Sequence, residues 1–118
     1  MISTDDKLLS IAIGNIVQNG ITYKIPERQA RLFVDYVRLP SLHKISISDN
    51  GKGIPEMELG HIFNMFYKAS EISHGSGMGL YIARKAVEKL NGEIIATSEE
   101  GEGSVFSIFL PVNQGQVC

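Results

Sequence analysis

The sequence has 118 residues, of which 43% are apolar, which suits one soluble domain with a single packed core. Its formal net charge of −2 gives no basic field, so composition argues against nucleic acid and membrane surfaces as partners. The one cysteine, Cys118, cannot form an internal disulfide, and no apolar run approaches the ~20 residues of a membrane span or resembles a signal peptide. We expect a cytoplasmic protein with a domain over residues 1–112 and a polar, disordered tail over residues 113–118.

The first helical pattern runs from about Asp5 to Tyr23. Apolar or small residues recur on one stripe at helical spacing: Leu9, Ala12, Ile13, Ile16, Val17 and Gly20. Asn15 and Asn19 are four residues apart, so they stack at the margin of this stripe and border whatever the helix covers. Two interpretations stay open at this point: a pair of solvated amides, or carbonyl oxygens that face a pocket and bind Mg²⁺, a cation that prefers oxygen ligands.

Two strands joined by a short loop are predicted next. Residues 31–38 are rich in strand formers, and residues 44–48 alternate isoleucine with polar residues at the period of a half-buried strand. The second strand delivers Asp49 to its end, where Gly51 and Gly53 leave the backbone bare. An acid beside bare backbone suits a ligand with an amino group and a planar face, although a plain tight turn would explain the same residues.

A second helix is predicted over residues 56–66, with its apolar side toward the core, and a polar loop over residues 67–76. The glycine-rich segment 75–80 then opens a third helix, which the pair Asn91 and Gly92 should end. The stripe of the third helix consists of Ala83, Ala86, Val87 and Leu90. Free backbone N–H groups at such a helix start can seat a phosphate, but a single glycine-rich turn is weak evidence.

The last two strands, residues 93–98 and 104–110, are predicted to form a hairpin through the turn 99–103. Helices and hairpins are therefore segregated along the chain rather than alternating as in a parallel sheet. This order predicts an α+β fold, a two-layer sandwich in which helices pack on one face of a mixed, mainly antiparallel sheet.

Five segments together resemble the sequence boxes of the ATP-binding domain of sensor histidine kinases. That family is grouped with the gyrase, Hsp90 and MutL ATPases and has the Bergerat-type ATP-binding fold. The segments resemble, in order, the asparagine box, first glycine box, phenylalanine box, second glycine box and terminal glycine hairpin: residues 15–20, 49–54, 62–66, 75–80 and 101–106. Each box alone is weak, but five in this order, within residues 5–111, are specific.

The resemblance implies a role for each matching residue. Asp49 would accept the adenine amino group, Gly51 and Gly53 would let the loop lie against the base, and Asn19 would hold Mg²⁺. Asn15 would support the phosphates and has a catalytic role, as has Lys68, which could pair with a phosphate. The resemblance places the remaining nucleotide contacts at Tyr23, Ile54, Gly75, Gly77, Gly79, Leu80 and Ser104.

The resemblance also implies an activity. The domain would bind Mg-ATP and donate the γ-phosphate to a histidine on a separate dimerisation domain, in a two-component sensor kinase with a response regulator downstream. We expect the chain to be the catalytic part of a longer kinase, with no membrane contact of its own. The longer kinase could be a membrane-bound sensor, of which this domain would be the cytoplasmic part. Asn15 stands where the hydrolysing relatives have a glutamate that activates water, so slow hydrolysis is expected.

Two departures from the family pattern leave alternatives open. Thr22 stands where many members have a lysine. The polar loop over residues 67–76, which the resemblance implies is a short lid over the nucleotide, contains no arginine, which leaves Lys68 as its main cation. These departures would suit a nucleotide-binding pseudokinase or protein-interaction module. A serine kinase of the anti-sigma type, which has the same fold, is a further alternative.

Overall fold

The structure is a computed structural model that describes residues 6–22, 25–64 and 79–112. Its elements, in chain order, are helix α1 (Asp6–Thr22), strands β1 (Leu32–Arg38) and β2 (Leu42–Asp49), a 3-10 turn (Glu56–Glu58), helix α2 (Gly79–Lys89), and strands β3 (Glu93–Glu99) and β4 (Gly103–Pro111). The first and third predicted helices and all four predicted strands are confirmed to within two residues at each end.

The four strands form one sheet in the order β1-β2-β4-β3, and each strand is antiparallel to its neighbours. Strands β2 and β4 therefore lie in the centre and carry the apolar row that faces the helices. Ile45 pairs with Ile108 and Ile47 with Phe106, and all four are buried. The alternation of isoleucine and polar residues thus predicted the buried face of β2 correctly.

The two helices pack along each other on one face of this sheet, as the fold class predicts. Ala12 and Ile16 of α1 are buried with Ala83, Ala86 and Val87 of α2 in the same cluster as the central strands. The small side chains let the two helix axes approach closely. This is a two-layer α+β sandwich, and it brings the start of α2 beside the middle of α1.

The end of α2 follows from Asn91 and Gly92, as predicted. Asn91 has a φ of 63°, and its N–H donates to the carbonyl of Glu88 at 2.9 Å. The N–H of Gly92 donates to the carbonyl of Val87, also at 2.9 Å. This is the Schellman arrangement, in which a left-handed residue closes the last helical turn.

The helix predicted over residues 56–66 is wrong for the residues that the structure describes. Only Glu56–Glu58 is helical, as a 3-10 turn, and turns follow as far as Asn64. The backbone bonds span three residues, for example from the N–H of His61 to the carbonyl of Glu58 at 2.9 Å. Gly60 weakens any longer helix at its midpoint because glycine is a poor helix former. The apolar side was nevertheless predicted correctly, since Ile62 is buried and Phe63 packs edge to face on Phe106.

Candidate functional site

Asp49 is the last residue of β2 and lies at the end of the sheet, paired with Leu32 on β1 and Ser104 on β4. Its side chain is half-buried, and its Oδ1 accepts a hydrogen bond from the N–H of Gly51 at 2.9 Å. The following loop therefore turns back onto the carboxylate and orients it. The predicted position of Asp49 at a strand end is confirmed, while its role toward a ligand stays a prediction.

Helix α1 approaches this carboxylate at Gly20. A Cβ atom on Gly20 would lie 3.3 Å from the Cβ of Asp49, 3.5 Å from its Oδ2 and 2.8 Å from the Cδ2 of Leu32. A side chain at this position would displace the end of the Leu32 side chain and crowd the side chain of Asp49. Sequence reasoning placed Gly20 on the apolar stripe but gave it no part in the site, and only the packing of α1 on β2 reveals that part.

Gly53 and Gly103 bring three backbone segments into direct contact beside Asp49. Gly53 has a φ of 75°, and a Cβ there would lie 2.2 Å from the carbonyl oxygen of Glu99. Gly103 has a φ of 136°, and a Cβ there would lie 2.0 Å from the carbonyl oxygen of Asp49. Both positions therefore require glycine for the fold itself, because the obstructing atoms are backbone atoms that cannot rotate away.

A hydroxyl network ties the first glycine loop to the hairpin of β3 and β4. The N–H of Ile54 donates to the Oγ of Ser98 at 2.7 Å, and that hydroxyl donates to the carbonyl of Gly103 at 2.9 Å. The Oγ of Ser104, a residue that is only 5% exposed, lies 2.9 Å from the Oγ of Ser98. Sequence reasoning missed Ser98, although the predicted five-residue turn already placed it opposite Ser104.

The second part of the candidate site lies where α1 passes the start of α2. The Nδ2 of Asn15 donates to the carbonyl of Ile11 at 2.8 Å, so the amide group is anchored on its own helix. Its Oδ1 lies 3.3 Å from the Cβ position of Gly79, the first residue of α2. The oxygen of Asn15 therefore borders a helix N-terminus, where the first backbone N–H groups have no acceptor within the helix and can bind an anion.

Asn19 lies one turn after Asn15, between the two parts of the site. It is half-buried, as a position at the margin of the stripe should be, and its amide makes no hydrogen bond to another residue of the described ranges. Leu80, also half-buried, packs against the core from the first turn of α2. Between Asn15 and Gly20 the helix rises about 8 Å, so α1 forms a common wall for both parts.

The structure thus brings one group of predicted residues together at the end of the sheet: Asp49, Gly51, Gly53, Ile54 and Ser104. It places a second group around the contact of α1 with α2: Asn15, Asn19, Gly79 and Leu80. Four further candidates lie outside the described residues: Tyr23, Lys68, Gly75 and Gly77. The tail predicted over residues 113–118 lies outside them as well.

His43 is the one buried titratable side chain that the described ranges contain, and it lies at the opposite end of β2 from Asp49. Burial lowers the pKa of this imidazole below its ordinary value of 6.5, and the positive charge of Arg38 lowers it further. The hydroxyl of Tyr36 lies 2.6 Å from the Nδ1 of His43. His43 is therefore part of the packed sheet and does not belong to the candidate site.

The family model described as histidine kinase-, DNA gyrase B- and HSP90-like ATPase matches residues 4–114. Among solved structures, the mycobacterial sensor histidine kinase MprB has 26% sequence identity and a TM-score of 0.82, over 94% of this chain and 76% of that one. The catalytic domain of the histidine kinase ThkA has 25% identity and a TM-score of 0.79, over 94% of this chain and 71% of that one. No helix in the described part of this chain has the length and apolar character needed to cross a membrane.

Among curated relatives, sporulation kinase E of Bacillus subtilis is 39% identical over 101 residues, which cover 85% of this chain and 13% of the relative. The aerobic respiration control sensor protein ArcB of Escherichia coli is 33% identical over 111 residues, or 89% of this chain and 14% of that protein. The chain thus spans about a seventh of the length of these relatives. With the match to the family model over residues 4–114, these similarities show that the chain belongs to the histidine kinase-, DNA gyrase B- and HSP90-like ATPases.

Proposed function

We propose that this chain binds Mg-ATP and donates the γ-phosphate to a histidine on a separate dimerisation domain, as part of a sensor kinase in a two-component system. One observation carries the proposal: α1 faces the carboxylate of Asp49 with Gly20 and the N-terminus of α2 with Asn15. A single helix thus joins an acceptor for the amino group of adenine to a seat for phosphate. The family membership supports this reading of both ends.

The adenine end of the site would work through Asp49. Because the N–H of Gly51 binds its Oδ1 and orients the carboxylate, we assign Oδ2 as the oxygen that accepts a hydrogen bond from the adenine amino group. Gly51 and Gly53 keep the adjoining loop free of side chains, so a flat base can lie against the backbone. Ile54 and Ser104 border the same loop and would complete this end of the pocket.

The phosphate end of the site would work through the two asparagines. Asn19 offers a half-buried amide oxygen without a hydrogen-bonded partner in the described part of the chain, and such an oxygen suits Mg²⁺. Bound Mg²⁺ would neutralise charge on the phosphates. Asn15 and the first residues of α2, Gly79 and Leu80, would border the phosphates. From the resemblance alone, the proposal includes Tyr23, Lys68, Gly75 and Gly77.

Phosphoryl transfer is favoured over hydrolysis because of the chemistry of Asn15. An amide cannot take up a proton at neutral pH, so this residue cannot activate water as a general base. Its Nδ2 is also fixed to the carbonyl of Ile11, which holds the group in one orientation. The residues that remain position and stabilise the donor, and phosphoryl transfer mainly needs these two contributions.

The partners follow from this division of labour. A dimerisation domain with the phosphoacceptor histidine would receive the phosphate, and a response regulator would act downstream. We place the domain in the cytoplasm, where ATP is available. ADP would be the product that is left after transfer of the γ-phosphate. Nucleic acid has no part in this scheme.

Isothermal titration calorimetry with ATP, ADP and GTP, each with and without Mg²⁺, tests the binding half of the proposal. We expect binding of the adenine nucleotides only, and an ATP affinity that rises with Mg²⁺. A folded chain that binds none of the three nucleotides would contradict the proposal.

Transfer is tested with radiolabelled ATP and the histidine-bearing domain of a related sensor kinase, added in trans. An acid-labile phosphate on that domain is the expected product. An acid-stable product would instead indicate a serine kinase. Adenine binding without any transfer would indicate a nucleotide-binding module.

A further inference from the structure

The peptide between Asn50 and Gly51 is held at both ends by charged side chains. Its N–H group, which belongs to Gly51, donates to the Oδ1 of Asp49 at 2.9 Å. Its carbonyl oxygen, which belongs to Asn50, accepts a hydrogen bond from the Nη1 of Arg28 at 2.8 Å. A single planar peptide unit therefore links the guanidinium of Arg28 to the carboxylate proposed to recognise adenine.

Arg28 also reaches the hairpin on the other side of the loop. Its Nη2 donates to the carbonyl of Gly101 at 3.2 Å, in the turn between β3 and β4. The N–H of Gly101 in turn donates to the carbonyl of Lys52 at 2.7 Å. One guanidinium thus bridges two segments that already contact each other, and the fixed fork of arginine donors suits this bridge better than the single nitrogen of an ammonium group.

The segment that carries Arg28 is itself fastened to Asn50. The Oδ1 of Asn50 accepts from the backbone N–H of Arg31 at 2.8 Å, and its Nδ2 donates to the carbonyl of Gln29 at 2.9 Å. Although Arg28 lies at the surface, both its backbone neighbourhood and its guanidinium are fixed relative to the loop. This geometry distinguishes it from an arginine that merely extends into solvent.

We propose that Arg28 is a positioning residue of the nucleotide site, acting on Asp49 through the Asn50–Gly51 peptide. This inference rests on the proposed function of Asp49. A hydrogen bond from a cation to the carbonyl polarises the peptide and strengthens its N–H as a donor. The stronger donor keeps its hydrogen bond to Oδ1 of Asp49, so the carboxylate stays in one rotamer and presents Oδ2 to the ligand.

A double-mutant cycle with ADP as the probe tests this route of action. Arg28→Ala alone should weaken ADP binding by about threefold to tenfold, in the lower part of the range for residues coupled through one hydrogen-bond network. In the Asp49→Ala background the same change should have no further effect, because its target is gone. Losses that simply multiply would overturn the proposal, since Arg28 would then act on the ligand independently of Asp49.

Arg38→Ala is the matched control for the loss of a positive charge. Arg38 is also exposed and donates to a backbone carbonyl, that of Leu39 at 3.2 Å. It lies six residues along β1 from Leu32, the partner of Asp49, or about 20 Å away. Its removal should leave ADP affinity unchanged. An equal loss in both variants would assign the effect to net charge and overturn the positioning role.

Amide hydrogen exchange in the nucleotide-free protein tests the same contact without any ligand. The Gly51 amide should exchange faster in Arg28→Ala than in the wild type or in Arg38→Ala, while the Ile47 amide in the centre of the sheet stays unchanged. Unchanged exchange at Gly51 would overturn the proposal. If the wild type binds no ADP, the proposed function fails, yet this measurement still decides whether Arg28 holds the peptide.

Arg28→Lys provides a second variant in case the alanine variant does not fold, which circular dichroism would show. It keeps the charge and three N–H donors but lacks the fixed planar fork of the guanidinium, so its ADP affinity and Gly51 exchange should fall between those of wild type and Arg28→Ala. Full wild-type behaviour of the lysine variant would contradict a role that depends on the fork of donors.

Discussion

The two ends of the candidate site are built in different ways. At the Asp49 end, three segments touch backbone to backbone at Gly53 and Gly103: the end of β2, the loop after it and the turn before β4. At the other end, two helices pass each other, and a side-chain oxygen of Asn15 lies 3.3 Å from the Cβ position of Gly79. One end is fixed by the main chain, and the other is formed by side chains on a scaffold.

This difference separates stability from binding. The atoms that obstruct a new side chain at Gly53 or Gly103 are backbone atoms, so a change there must disturb the pairing of β2, β3 and β4. Asn15 and Asn19 project from a helix whose packing depends on other residues, so their loss leaves the core intact. Substitution of Gly53 or Gly103 should therefore affect folding, while substitution of Asn15 or Asn19 should mainly affect ligand binding.

The largest effect is expected from Gly103→Ala. The new Cβ would lie 2.0 Å from the carbonyl oxygen of Asp49, and the φ of 136° is unfavourable for any other residue. Relief would require β4 to separate from β2, so the free energy of unfolding should fall by about 3 kcal/mol or more. Urea denaturation of the two proteins measures the difference.

Gly60→Ala is the control for this substitution, because no heavy atom of the described residues, apart from its two chain neighbours, lies within 4 Å of the Cβ position of Gly60. Its free energy of unfolding should stay within about 0.5 kcal/mol of the wild-type value. Equal stability of Gly103→Ala and Gly60→Ala would mean that the close contact of β4 with the end of β2 does not exist.

The next largest effects concern ligand affinity at the two ends. Asp49→Ala should weaken ATP and ADP binding by about 1.5–3 kcal/mol, the range for a hydrogen bond to a charged group. That corresponds to about tenfold or more in affinity. Asn19→Ala should instead abolish the increase in ATP affinity with Mg²⁺ and leave Mg²⁺-free binding nearly unchanged.

Calorimetry with Mg²⁺ or with a chelator separates these two outcomes. Retained Mg²⁺ dependence in Asn19→Ala would show that the ion is held elsewhere. Wild-type affinity in a folded Asp49→Ala variant would remove Asp49 from the adenine site. Either result would break the division of the site into an adenine end and a phosphate end.

Periodic features of the sequence predicted the frame of this site well. The alternation in residues 44–48 gave the buried face of β2 and left Asp49 at its end, and the glycine-containing turn predicted the hairpin of β3 and β4. Both features are local, because a period of two or a short turn is written in adjacent residues. The family resemblance then supplied the roles, which neither periodicity nor spacing contains.

The contacts that brace the site could not be predicted in the same way. Arg28 meets Asn50 and Gly101 across 22 and 73 residues of sequence, and its segment has no periodic pattern. Gly20 approaches Asp49 only because α1 crosses the end of β2. The prediction of a helix over residues 56–66 was wrong for a local reason. The apolar period favoured a helix, but Gly60 lies in its interior, where glycine disfavours helix formation.

A smaller effect of opposite sign is expected from Gly14→Ala on the exposed side of α1. Apart from its chain neighbours and the adjacent backbone of α1, no heavy atom of the described residues lies within 4 Å of its Cβ position, and alanine is the better helix former by about 1 kcal/mol. The free energy of unfolding should therefore rise by about that amount while ATP affinity stays unchanged. Thermal unfolding and calorimetry measure the two quantities. A change in affinity would show that the helix moves relative to Asp49 or α2 when it is stiffened.

The smallest effect is expected at the opposite end of the sheet, where His43 makes stability depend on pH. Burial, and then the charge of Arg38, lower the pKa of His43 in the folded state below its ordinary value of 6.5. As the pH falls through 6.5, His43 becomes protonated in the unfolded chain before it does so in the folded protein. The contribution of neutral His43 to the free energy of unfolding is therefore complete above pH 6.5 and is lost as the pH falls toward the folded-state pKa of His43. Urea denaturation from neutral pH to about pH 5 measures this loss.

Two variants sharpen this last prediction. His43→Leu should flatten the pH profile, because it removes the titrating group. The hydroxyl of Tyr36 loses its partner in this variant but can turn to water, since Tyr36 is 48% exposed. Arg38→Ala removes only the second cause, so it should reduce the slope without abolishing it. A wild-type slope in His43→Leu would place the titration elsewhere. A steeper slope in Arg38→Ala would mean that the guanidinium stabilises the imidazolium, which like charges cannot do.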